Sequence, residues 1–185
     1  MKRYLMTGLM AFICTAALEA EACTVMLVTK GASADSSVII SHTNDGFGSD
    51  PNLVYIKARD FRSDAKRPVY PSAAALGDLP EYNCYSYPHL VAPDISDDYR
   101  YPGRPETKPI ASIPQVAHTY AYLDADYPVM NELGLMIAEC TDLSERLPEA
   151  DLNPKSAIFY SNELSRVALE RSTNAKDAIV LMRHL

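Results

Sequence analysis

The chain is 185 residues long, with 24 acidic and 17 basic side chains and a formal charge of −7. No Lys/Arg run interrupts that acidic balance, which argues against nucleic acid and anionic membrane surfaces as partners, since both recruit basic clusters. The four histidines are isolated, and no H-E-x-x-H, C-x-x-C, G-x-S-x-G or glycine-rich phosphate loop occurs, so no metal or cofactor is expected.

Met1-Lys2-Arg3 is basic, Tyr4 to Leu18 is apolar, and Ala20-Glu21-Ala22 is an A-x-A sequence directly before Cys23. These are the three parts of an export signal over residues 1–22, with an apolar stretch shorter than the roughly 20 residues of a membrane span. Removing the first 22 of 185 residues leaves 163, still at −7, because two cations leave with two anions. The mature chain is expected to be periplasmic or extracellular, with no stable membrane insertion. Two alternatives stand beside this: a buried N-terminal helix, and a lipoprotein signal that would leave Cys23 acylated, although Ala20 stands where such signals usually carry Leu. Cleavage after Ala22 would give Cys23 a free α-amine beside its thiol, a nucleophile that carries its own base.

Thr24 to Val28 and Val38 to His42 read as two strands of a hairpin around the small polar loop Gly31 to Ser36. Thr43-Asn44-Asp45-Gly46-Phe47-Gly48 is a sharp turn at the end of the second strand, which returns Asp45 toward Cys23. Leu53 to Ile56 reads as a third strand. Pro68 to Pro109 then holds eight of thirteen prolines and six of twelve tyrosines without a helix or strand period. This is expected to be a long semi-rigid surface loop covering the core, with a substrate-pocket wall as the alternative. Val116 to Leu123 reads as one strand, and Tyr127 to Glu139 as strand, turn at Asn131 to Gly134, and strand. Asn131 is either a plain turn residue, as its tolerance of left-handed geometry suits, or a donor to an oxyanion.

Asn153-Pro154 is read as the start of a helix with Ile158, Leu164, Val167 and Ala168 on one face. Asn174 caps a second helix with Asp177 three places on, and Ala175, Ala178, Ile179 and Met182 share a face. The chain stops inside that pattern and is read as cut. Cys14 leaves with the signal, and Cys23, Cys84 and Cys140 remain. Cys84 and Cys140 could pair in an oxidising compartment, with Cys23 kept for reactivity.

Ala22-Cys23-Thr24 at a processing site, Asn44-Asp45-Gly46 after the second strand, Val129-Met130-Asn131-Glu132-Leu133-Gly134-Leu135 followed by Ile137-Ala138-Glu139, and the helical Leu164 to Arg171 with Asn174 to Ala178 together resemble the cysteine-type N-terminal nucleophile dipeptidases, the dipeptidase A-like family. More distantly, the layout resembles bile-salt hydrolases and penicillin V acylases. The resemblance implies an α+β chain with the four-layer αββα sandwich of N-terminal nucleophile hydrolases, of which residues 23–185 would form the N-terminal part. It implies a secreted thiol peptidase that hydrolyses dipeptides, with Cys23 as nucleophile, Asp45 orienting the α-amine and Asn131 donating to the oxyanion. In the acylase relatives an arginine stands three places before that aspartate, and here the position is His42. Two other readings remain at this point: an acylase of the bile-salt hydrolase or penicillin V acylase type, and a lipid-anchored surface or binding protein.

Overall fold

The first hairpin forms from the two apolar, β-branched stretches that flank a small polar loop. In the computed structural model, which describes residues 23–43, 52–71, 90–140 and 158–185, β1 (Val25–Val28) and β2 (Ile39–His42) pair antiparallel, with Val25 opposite His42 and Val28 opposite Ile39. Ser36 turns the loop in a left-handed conformation at φ 63°, and the following Ser37 amide donates to Ser33 Oγ and Asp35 Oδ1. Met26, Leu27 and Ile39 are exposed. Among the described residues this hairpin is therefore held by its ladder rather than by burial. The signal segment, the Asn44-Asp45-Gly46 turn, Cys84 and the Asn153-Pro154 cap lie outside the described residues.

The centre of the fold is an antiparallel ribbon. β3 (Val54–Ile56) pairs with β8 (Tyr122–Asp124), and β4 (Arg59–Asp60) pairs with β7 (His118–Thr119). Ile56 lies opposite Tyr122 and Arg59 opposite Thr119, so three residues advance on each side and one register runs through both pairs. The single strand expected over Val116 to Leu123 is interrupted because two of its amides are diverted. Tyr120 N donates to Glu170 O at 2.9 Å, and Ala121 N donates to Glu132 Oε1 at 2.8 Å. Beyond β8, β9 (Met130–Asn131) adds a third strand. The turn at Asn131 to Gly134 is where the sequence places it: Gly134 N donates to Asn131 O at 3.0 Å, and Gly134 has a φ of 78°, a left-handed geometry that glycine accepts without strain.

The expectation of a loop from Pro68 to Pro109 needs correction at its first end, and residues 90–109 enter the core further than a surface loop would. Pro68 lies within β5 (Lys66–Val69), which pairs with β6 (Ala111–Pro114). A proline can sit there because β5 belongs to a two-stranded pair and need not donate on both sides. Leu90, Val91 and Ala92 are buried, and Tyr99, in a short 3-10 helix (Asp97–Tyr99), is fully buried. This stretch is therefore a loop that contributes Leu90, Val91, Ala92, Tyr99 and Thr107 to the core while most of its other residues are exposed. Period-based reading misses it because its buried side chains come from irregular backbone, whose amides are satisfied one at a time, as where Val91 N donates to Thr107 Oγ1.

Two helices complete the described chain. α1 (Ser161–Arg171) packs against β7, β8, β9 and α2 (Ala175–His184). As expected, α2 is capped by Asn174, whose side chain accepts from the Lys176 and Asp177 amides. Ala178 is buried and Met182 packs on the core, whereas Ala175 and Ile179 are exposed, so only half of the expected apolar face is used.

The larger departure is α1, where Val167, Ala168 and Leu169 are fully buried together with Glu163, Arg166 and Glu170. A charged face can enter the core only if it is paired. Arg67 of β5 bonds Glu163 and both oxygens of Glu170. Arg166 holds both oxygens of Asp124 and reaches Glu163 at 3.3 Å. The Tyr99 hydroxyl donates to Asp124, and Tyr70 N donates to Glu163 Oε1. Burial, followed by the neighbouring carboxylates, pushes the Tyr99 and Tyr122 hydroxyls well above the ordinary tyrosine range. Both guanidinium groups are held above theirs, because the paired carboxylates outweigh the desolvation that opposes them. This network ties β5, β8, the 3-10 helix and α1 into one body.

Candidate functional site

Cys23 is half-buried and stands two residues before β1. Its position is fixed by the end of the hairpin: Thr43 N donates to Thr24 O at 2.9 Å, and Thr24 N donates to Thr43 Oγ1 at 2.9 Å. The threonine hydroxyl therefore closes the ladder beyond its last strand pair and clamps the backbone next to the thiol. From the other side, Cys140 Sγ donates to Cys23 O at 2.8 Å. Cys140 arrives there because Ile137 N donates to Val129 O and Met136 bridges Met130, which folds the segment after the Asn131 turn back along the segment before it.

Two further side chains meet at this place. His42, opposite Val25, stands edge-on to Tyr127, with ring centroids 5.2 Å apart at 89°. Its Nε2 is buried and makes no hydrogen bond among the described residues. The Tyr127 hydroxyl is pushed up to about 12 by burial, and then by the neighbouring Glu139, Tyr160 and Cys23. It is therefore a neutral O–H donor throughout the physiological range. Cys23, His42, Tyr127 and Cys140 thus gather a thiol, an imidazole, a phenol and a second thiol from four separate chain segments. Of these, the sequence points to Cys23 directly and leaves the role of His42 open. Tyr127 and Cys140 carry no local signal, because long-range folding alone brings them here.

Asn131 is positioned differently from the expectation. It is 3 % exposed, and its Nδ2 donates to Leu169 O at 3.0 Å and to Ser172 O at 2.9 Å. Its Oδ1 accepts from the Leu133 and Leu135 amides. Both amide hydrogens are spent on carbonyls at the end of α1, which leaves none to donate to an oxyanion in this arrangement. Asn131 here forms its own turn and caps a neighbouring helix. A helix end leaves four carbonyls without partners inside the helix. Here Ala168 O accepts from Ser172 N and Glu170 O from Tyr120 N, while Asn131 serves Leu169 O and the following Ser172 O. No C-terminal glycine is needed. Asp45 lies outside the described residues, as does Ala22.

A separate cavity of about 240 Å³ lies along the ribbon. Lys57, Arg59 and Lys66 stand at it together with the apolar Ile56, Phe61 and Ile95, and it includes none of Cys23, His42 or Asn131. Among the described residues, no group of three or more His, Cys, Asp or Glu side chains is arranged to hold a metal ion, and no helix is long and apolar enough to cross a membrane. Comparison with protein-family models, curated proteins and solved structures yields no match.

Proposed function

We propose that the chain is an exported cysteine hydrolase of dipeptides with Cys23 as its N-terminal nucleophile. The observation that carries this reading is the position of Cys23, clamped by the Thr24–Thr43 pair at the head of β1 and beside a phenol that stays protonated. The amine of processed Cys23 takes the thiol proton while the sulfur attacks the dipeptide carbonyl. It returns that proton to the leaving amino group as the C–N bond breaks, and water then cleaves the thioester and releases the second amino acid. Asp45, by its place after β2 in the sequence, orients the amine. The Tyr127 hydroxyl takes the oxyanion-donor role in place of Asn131, a contribution of about 2.7–4 kcal/mol for a donor of this kind. A helix packed on antiparallel strands, as α1 is on β7, β8 and β9, is what an outer layer of an αββα sandwich requires, and it supports that fold for the chain.

The test is the start of the mature protein. Retaining Ala22 converts the Cys23 amine to an amide nitrogen, which is not basic, and leaves the thiol in place. Protein that keeps Ala22 is expected to fold but to lose most dipeptidase activity, and Cys23→Ser to be strongly impaired. Equal rates with and without Ala22 would refute the mechanism. Intact mass on the same preparations distinguishes a lipid-anchored protein, since an acylated Cys23 amine cannot act as base.

A further inference from the structure

We propose that Cys23 and Cys140 form a reversible disulfide that switches off the Cys23 thiol, an inference about regulation that rests on the hydrolase reading above. The two residues are 117 positions apart, yet Cys140 Sγ lies 2.8 Å from the Cys23 carbonyl oxygen. Covalent bond lengths between those atoms and their own Cα atoms keep the Cα pair within about 8 Å. Side-chain rotation with a small backbone adjustment brings such a pair into the range of roughly 4.4–6.8 Å that a disulfide occupies. Both sulfurs carry free thiols, Cys140 is exposed and Cys23 is half-open, so a small oxidant reaches the pair. The alternative partner suggested by sequence, Cys84, lies outside the described residues, and the fold places Cys140 at Cys23.

The chemistry needs a low-molecular-weight disulfide as oxidant. The thiolate of Cys140 attacks one sulfur of that disulfide, the S–S bond breaks, and one small thiol leaves. The Cys23 thiolate then attacks the Cys140 sulfur of the mixed disulfide, forming the Cys23–Cys140 bond and expelling the second small thiol. The protein loses two hydrogens and the small disulfide gains two. In the linked form Cys23 has no thiolate with which to attack a substrate. It is also withheld from peroxide, which would carry an open thiolate on to the irreversible sulfinic acid.

The exported protein is equilibrated with mixtures of reduced and oxidised glutathione, then read by intact mass, peptide mapping and dipeptide hydrolysis. Loss of two hydrogens, a cross-linked peptide joining residues 23 and 140, and an activity drop of about tenfold or more that dithiothreitol reverses are the expected results. In Cys140→Ser the cross-link is absent, Cys23 instead accumulates as its glutathione mixed disulfide, and peroxide inactivation is no longer rescued by reductant. The proposal is overturned if both thiols stay reduced across the glutathione range, or if Cys140 maps to Cys84. Failure of the fully reduced protein to hydrolyse any dipeptide would instead count against the hydrolase reading, while the mass data would still decide the cross-link.

Discussion

Replacing Asn131 with alanine separates a turnover role from a folding role. The side chain makes four hydrogen bonds, two donated to the end of α1 and two accepted within its own turn. Three of the four partner residues, Leu169, Ser172 and Leu135, are at most 5 % exposed, so water does not replace the lost bonds. At about 1 kcal/mol net for each bond, and more where a buried group is orphaned, Asn131→Ala should cost about 4 kcal/mol of stability. For a chain of this size each kcal/mol moves the thermal midpoint by about 2–4 °C, so the drop should be about 8–16 °C. Turnover per folded molecule should change little. Tyr127→Phe should behave in the opposite way, with a nearly unchanged midpoint and kcat lowered by about 10²–10³. The assay pairs differential scanning calorimetry with dipeptide turnover at a temperature where both variants are folded. An Asn131→Ala protein with an unchanged midpoint and a kcat reduced by about 10²–10³ would refute the reasoning and restore Asn131 as the oxyanion donor.

Arg166→Met leaves Asp124 and Glu163 buried without that cation. It should cost about 3–5 kcal/mol in urea unfolding, and a loss below about 1 kcal/mol would mean that the pairing is broken or solvated in solution. Tyr99 and Tyr122 are favoured as neutral phenols in the fold. With folded values raised above the unfolded value of about 10, their contribution to stability is complete below about pH 10 and is lost as pH climbs through the folded values. Absorbance at 295 nm should therefore show a fraction of the tyrosines ionising only together with the loss of circular dichroism. A titration completed near pH 10 with the fold intact would contradict their burial.

What the sequence determined by itself were the features written within a few neighbouring residues. The β1–β2 hairpin follows from two β-branched stretches around a small polar loop, the Asn131 to Gly134 turn from a glycine that takes positive φ, and the α2 cap from Asn174 ahead of Asp177. Cys23 stands at the head of β1 for the same reason, since the strand begins where the apolar run does. Tertiary structure decided what each side chain faces. The charged face of α1 is buried because Arg67 and Asp124 reach it from strands that lie 96 and 42 residues away along the chain. Tyr99 reads as loop yet is core, since irregular backbone can be buried when its polar groups find individual partners. Asn131 and Cys140 carry the same lesson. An amide in a turn can donate to anything within reach, and the end of α1 claimed both hydrogens. A cysteine shows no partner by spacing, and the return of the chain after Gly134 brings Cys140 to the backbone of Cys23.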